Sequence, residues 1–248
     1  MKRWLIIVFI LVSLLSILVW WRAPLVGNEW SRQTVYVWLT DAWYGRSTDA
    51  HAHALWIDDD ATEGVFIVKR IADELNVHPC FAVIADLLTP ALADSLSAWQ
   101  QQGSGIVLHG FRHDRWWDWE PAQIAEDIRR SYLRLQELGF DTAKIVKMVV
   151  PPHGCNNRTI RRVIEEAGCQ MISGATLVNP DRHVFQLGRI PITPDTDTTT
   201  MRKLLQKAYD RKGFVIFGTH SSIPSSFSPK KTRQVLQMAK EIGFDFVR

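Results

Sequence analysis

Apolar positions along this 248-residue chain follow two rhythms that alternate over most of its length. Short, nearly unbroken apolar runs occur at 54–58, 80–84, 105–109, 145–150, 170–173, 185–190 and 213–218. Runs of that length, bounded by polar and glycine-containing turns, predict strands buried on both faces. Between them the apolar residues recur at three- and four-residue spacing. Val65, Val68, Ala72 and Leu75 share one helical face, as do Ile124, Ile128, Leu135 and Leu138, and Gly139 ends the second of these helices. Repeated strand–helix units build a parallel sheet covered by helices, so the expected fold is α/β: a (β/α) barrel, distorted or seven-stranded. Reactive groups in such a barrel gather at the carboxyl ends of the strands, where the loops leave for the next helix.

The N-terminus has a different pattern. Lys2 and Arg3 precede an uncharged, mostly apolar run from 4 to 21, which Arg22 closes. A membrane span needs about 20 predominantly apolar residues, with aromatic residues favoured at its ends, where Trp4, Trp20 and Trp21 stand. Trp20-Trp21-Arg22-Ala23-Pro24 offers no small-x-small cleavage site, so the run is expected to be an uncleaved transmembrane helix. Residues 1–23 are then a membrane anchor, 24–46 a connector with a short strand at 34–39, and 47–248 the catalytic domain. The positive-inside tendency puts Lys2 and Arg3 in the cytoplasm. The expected location is the inner membrane, single-pass, with the domain periplasmic or extracellular.

Composition narrows the class. With 46% hydrophobic and 22% charged residues the chain can bury a core and is neither disordered nor fibrous. A net charge of +3 from scattered Lys and Arg gives no reason to expect nucleic acid. Cys80, Cys155 and Cys169 are too few for a disulfide framework, and no CxxC pattern suggests a redox or structural zinc centre. A helix of about a dozen residues between Cys155 and Cys169 would hold them ~18 Å apart, beyond the ~7 Å a disulfide allows. Nucleophile elbow, phosphate loop and dinucleotide fingerprint are all missing.

Three strand ends carry candidate chemistry. The run Leu55-Trp56-Ile57 ends in Asp58, Asp59 and Asp60. Adjacent carboxylates raise one another's pKa unless a cation or hydrogen-bond donors compensate, so this end suits metal binding or base catalysis; Asp60 would equally serve as a helix cap. The run ending at Leu108 continues as His109-Gly110-Phe111-Arg112-His113, and histidines four apart can share one metal ion. His220 follows the last run. Two histidines and one carboxylate leave open positions on a metal, for zinc hydrolysis or for iron-based oxygen chemistry.

In order and interval these motifs resemble the polysaccharide deacetylases, the NodB-homology carbohydrate esterases. That family carries T-F-D-D-G, then H-[ST]-x-x-H, then R-x-P-[FY]-G, and near the end a hydrophobic-x-His element. Here stand W-I-D-D-D at 56–60, H-G-F-R-H at 109–113, V-P-P-H-G at 150–154 and Phe217-Gly218-Thr219-His220. The resemblance implies Asp58 as general base, His220 as acid, and Asp59, His109 and His113 as ligands of a divalent metal, zinc being the expected ion. It also implies a substrate and oxyanion region at Pro152, His153 and Gly154. The sequence departs from the family where Val150 replaces the Arg that pairs with the catalytic Asp, and where Gly110, His153 and Asp60 replace a Ser or Thr, an aromatic residue and a Gly. Trp116, Trp117 and Trp119 follow the HxxxH pair; their flat faces suit sugar rings, the membrane interface or plain loop packing, and Trp116 is taken as a substrate contact.

The implied activity is removal of an N-acyl group, acetyl or formyl, from an amino sugar of an envelope polysaccharide or a lipid-linked saccharide. A catalytically silent, membrane-tethered glycan-binding scaffold is the alternative, with the missing Arg as its support. Glycoside hydrolysis is disfavoured, because adjacent carboxylates are poorly placed on two sides of a scissile bond.

Overall fold

The computed structural model describes residues 47, 49–174 and 178–247. The expected N-terminal span, at 4–21, lies outside them, and among the described residues no helix is long and apolar enough to cross a membrane.

Among the described residues nine strands form one sheet: β1 (His53–Asp58), β2 (Cys80–Val83), β3 (Gly105–Leu108), β4 (Met148–Val149), β5 (Gln170–Ile172), β6 (Gln186–Leu187), β7 (Ile190–Pro191), β8 (Phe214–Thr219) and β9 (Asp245–Phe246). Every strand pairing is parallel, and the order is β6-β5-β4-β3-β2-β1-β8-β7, with β9 added beside the start of β1. The helices are α1 (Val65–Leu75), α2 (Pro90–Gln101), α3 (Pro121–Glu137), α4 (Arg158–Glu166), α5 (Thr198–Asp210) and α6 (Pro229–Ile242). Their ends are chemically marked. Glu120 and Gln123 make a reciprocal capping box at the start of α3, with Pro121 in its first turn. Asn76, left-handed, closes α1.

The run expected as one strand at 185–190 is split. Leu187 pairs with Ile172 of β5, whereas Ile190 pairs with Phe217 of β8, at opposite ends of the sheet order. Only Gly188 and Arg189 lie between, so the two edges of the curled sheet approach to within about 10 Å, the reach of three residues. Asn179 stitches this seam: its Nδ2 donates to the carbonyls of Gly188 (2.9 Å) and Phe214 (3.2 Å), and its Oδ1 accepts from Gly188 N (2.7 Å). The fold is thus a distorted, seamed barrel; β9 is a strand that the apolar pattern does not announce.

Strand periodicity then sorts side chains into two cores. Leu55, Ile57, Val107, Val150, Leu187 and Ile216 pack with one another in a cluster drawn almost wholly from strands, which is the barrel interior. Their neighbours Ala54, Trp56, Ile106, Leu108, Val149 and Phe217 pack with helix residues such as Val68 and Leu236, in the layer outside the sheet. All three cysteines are free and buried, and Cys155 and Cys169 are unbridged, as their spacing led us to expect of that pair.

Candidate metal centre and acid–base pair

The two-residue period carries past the last residue of each strand. His109 follows Leu108 and shares the inward parity of Val107; Asp59 shares that of Leu55 and Ile57, and His220 that of Ile216 and Gly218. Asp58 has the outward parity of Trp56, and its environment reflects that. It is fully buried and accepts hydrogen bonds from Thr219 Oγ1 (2.6 Å), Ser221 N (3.0 Å) and Ser221 Oγ (2.5 Å), while Trp56 Nε1 donates to Thr219 Oγ1 (2.9 Å). Burial pushes its carboxyl up to about 6 against the pull of those donors. Asp58 therefore clamps both chain neighbours of His220.

Asp60, His109 and His113 converge, with one ligand atom from each lying within 4.8 Å of the others. Asp60 takes a left-handed backbone (φ 52°), as a glycine would, and sets Oδ1 3.0 Å from His109 Nε2 and 3.5 Å from His113 Nε2. His113 is left-handed too (φ 63°), and its ring centroid lies 4.7 Å from that of His109. The Nδ1–H of His109 donates to the Val150 carbonyl (2.7 Å), which leaves its Nε2 as a lone pair in the neutral ring. That lone pair faces Asp60 Oδ1, a buried atom without a hydrogen-bond partner. Two electron-rich atoms held together in this way require a cation between them or a proton on the ring. The donor set, one carboxylate and two imidazoles, fits a divalent metal ion.

The sequence motifs imply Asp59 as the carboxylate of that set, and the structure instead brings Asp60 to the two histidines. Asp59, 1% exposed, is turned to Arg189 and to His220, whose Nε2 is 3.2 Å from Asp59 Oδ2. Burial pushes the Asp59 carboxyl up, but the His220 hydrogen bond and the charge of Arg189 outweigh it and bring the value down to about 2. The hydrogen bond with Asp59 in turn raises His220 against the opposing effect of burial. Arg189 is the site residue that sequence reasoning missed. It stands at the seam with the inward parity of Leu187, and reaches Asp59 past Gly218, where an added Cβ would lie 3.0 Å from Arg189 Cδ. Val150, at the position of the family's Arg, is buried in the interior core instead.

These shifts fix the direction of two pH effects. The raised His220 stabilises the fold fully below its unfolded value of about 6.5, and that contribution is lost as pH rises through the folded value. The depressed Asp59 contributes above about 3.9, and its contribution is lost as pH falls toward about 2. In Asp59→Asn, the His220 ring should titrate at lower pH than in the native protein when followed by NMR; an unmoved midpoint would show that no such contact exists.

The third motif forms a short 3-10 turn, Pro152–Gly154. His153 Nε2 lies 2.9 Å from the His113 carbonyl oxygen, and its ring is 4.3 Å from that of His113, so it buttresses the left-handed His113. Gly154 N–H is spent on the Pro151 carbonyl (3.1 Å), and Pro152 has no N–H, so neither serves as an oxyanion donor. Pro152 lies against Gly110, which explains the glycine in the second motif: φ there is +81°, and a Cβ would lie 2.7 Å from Pro152 Cγ. Gly110→Ala should cost about 2 kcal/mol or more in urea unfolding, combining left-handed strain with overpacking. Trp116, expected as a substrate contact, is fully buried in the core, and of the tryptophan-rich stretch only Trp117 and Trp119 retain exposure.

The fold is a curled parallel β/α barrel with a His-His-Asp cluster at the carboxyl ends of its strands. The polysaccharide deacetylase family model matches residues 45–172, just over half of the chain, and the protein belongs to that family. Among solved structures it is similar to a family 4 acetyl xylan esterase from Clostridium thermocellum, in complex with a cobalt ion (18% identity, 78% of this chain and 86% of that one, TM-score 0.57). It is also similar to the chitin deacetylase of Colletotrichum lindemuthianum (12%, 82% and 89%, TM-score 0.57). A third is a family 4 carbohydrate esterase pseudoenzyme from Bacillus anthracis (9%, 79% and 63%, TM-score 0.53). At these identities the likeness is one of fold. No curated protein matches the chain.

Proposed function

We propose that the protein is a divalent-metal amidase that removes an acetyl or formyl group from the nitrogen of an amino sugar in an envelope glycan or glycolipid. The observation that carries this reading is the convergence of His109, His113 and the unpartnered Asp60 Oδ1 beside a second, buried carboxylate paired with Arg189 and His220. Asp60, His109 and His113 would hold the ion, with zinc suited to this donor set. A metal there supplies Lewis acidity, which acidifies water and polarises an amide carbonyl. Asp59, kept ionised by Arg189 and His220, accepts the proton of the attacking water. His220, kept protonated to higher pH than usual by Asp59, gives a proton to the departing amine. Asp58 fixes the loop that carries His220 and takes no proton in the reaction.

The scaffold alternative rests on Val150 and on the existence of a pseudoenzyme with this fold. Arg189 weakens it, because the cation absent at position 150 reaches the buried carboxylate from the seam. The N-terminal apolar run is proposed as the inner-membrane anchor, with the domain on the periplasmic or extracellular side. The test is elemental analysis of the purified protein together with amine release from acetylated glycans, before and after chelation. Metal bound near one equivalent, with release lost on chelation and restored by zinc, supports the enzyme. Glycan binding without metal or turnover supports the scaffold.

A further inference from the structure

The loop that follows β3 holds two left-handed residues, Gly110 (φ 81°) and His113 (φ 63°), in a stretch without helix or strand. A left-handed residue other than glycine persists only where its surroundings over-determine it. The grip on this loop falls on Phe111, midway between the two histidines. Its carbonyl accepts from Asp86 N (2.9 Å), on the short turn after β2, and its N–H donates to Asp127 Oδ1 (2.8 Å). The Arg130 guanidinium, one helical turn beyond Asp127, lies 3.9 Å from the Phe111 ring centroid. Both come from α3, which is seated in the core through Ile124, Ile128 and Leu135. Asp127 is a buried carboxyl to which the proposed chemistry gives no part, neither as ligand nor as acid or base. Burial pushes it up to about 6 against the pull of the Phe111 N–H. Protonated or not, it keeps an oxygen that can accept from that N–H.

We infer that Asp127 is a positioning residue of the candidate metal centre: by holding Phe111 N it fixes the loop in the turn that aims His113, together with His109, at Asp60. The inference rests on the metal reading of that cluster and adds the residue that preorganises it. His109 needs no such help, since it continues β3 and donates to the Val150 carbonyl (2.7 Å). His113 reaches the cluster only through the turn. Without an acceptor at position 127 the Phe111 N–H would be left buried and unpaired, and the loop would relax to satisfy it, carrying His113 off its line to the ion. The requirement is for an acceptor oxygen and not for a charge. Asparagine can therefore replace Asp127, and alanine cannot.

The full-length protein is stripped with a chelator, and its affinity for zinc and for cobalt is measured by competition titration, with the visible absorption of the cobalt form reporting ligand geometry. Asp127→Ala should bind both metals roughly 10–100-fold more weakly, the scale of losing an outer-shell partner, with an altered cobalt spectrum. Asp127→Asn should stay close to native in both. Ser131→Ala is the structural control: it removes a buried hydrogen bond to the Asp127 carbonyl on the same helix (2.8 Å) without touching the loop, and should leave affinity and spectrum unchanged. Asp127→Ser, one bond shorter than the native side chain, repeats the measurement if the alanine variant does not fold. In the metal-free proteins, the His113 ring signals followed by NMR should move in Asp127→Ala and not in Ser131→Ala. Native-like metal affinity in Asp127→Ala, or an equal loss in Asp127→Asn, overturns the positioning role and leaves the amidase reading standing. A native protein that takes up neither metal, with His113 displaced in Asp127→Ala alone, keeps the positioning role and overturns the amidase reading.

Discussion

Asp60→Asn should release the metal, whereas Asp59→Asn should keep it and lose turnover. Asp60 is the carboxylate 3.0 Å from His109 Nε2 and 3.5 Å from His113 Nε2, and an amide there offers a neutral and weaker ligand. Changes in the outer shell of a metal site cost roughly 10–100-fold in affinity, and loss of a ligand charge should cost more. Asp59 instead faces Arg189 and His220. Its amide variant should retain close to one equivalent of metal while kcat falls about a thousandfold, within the range of general-base losses. Metal content by mass spectrometry and kcat on one acetylated oligomer, measured on the same samples, separate the two. The reverse result, metal lost with Asp59 and kept with Asp60, would return the roles to the residues that the motif resemblance implies.

Removing the guanidinium at the seam should have the next largest effect. In Arg189→Met the buried Asp59 loses a charge partner, and breaking a buried pair by removing one member typically costs about 3–5 kcal/mol. Because the arginine holds the Asp59 carboxyl down, its loss raises that pKa. The stability deficit is therefore largest at neutral pH and shrinks as pH falls and the raised carboxyl of the variant protonates ahead of the native one. Urea titrations at pH 7 and near pH 3 check the sign. Turnover should drop about 10²–10³-fold, the scale of losing one fixed electrostatic partner. Val150 stands where the family carries its Arg, and its carbonyl accepts from His109, so adding Val150→Arg to Arg189→Met should recover part of the rate. A double variant as slow as the single one, in a folded protein, would mean that the position of the cation matters beyond its charge.

The two proposed roles follow from different kinds of information in the chain. His109 and His220 were legible because each sits just after an apolar run, runs of that kind becoming buried strands whatever their neighbours, and His113 because it stands four residues beyond His109. The carboxylates were harder. Three consecutive Asp residues satisfy the same motif in more than one register, and resemblance alone puts the catalytic pair at Asp58 and Asp59. Strand parity already distinguishes them, since Asp59 continues Leu55 and Ile57 into the barrel while Asp58 continues Trp56 toward the helices. Asp60 could not be placed by parity. It lies beyond the strand, and its approach to His109 depends on a left-handed turn that the sequence does not mark with glycine.

Local pattern, then, determined the alternation of strands and helices, the edge of the barrel at which chemistry collects and three of its histidines. Each of those depends on contacts between near neighbours or on burial alone. The partner of Asp59 was decided only in three dimensions. Arg189 is 130 positions away in sequence, on an apolar run that breaks to join both edges of the sheet. No periodicity registers such a contact, because it exists only once the sheet has curled far enough for its first and last strands to meet.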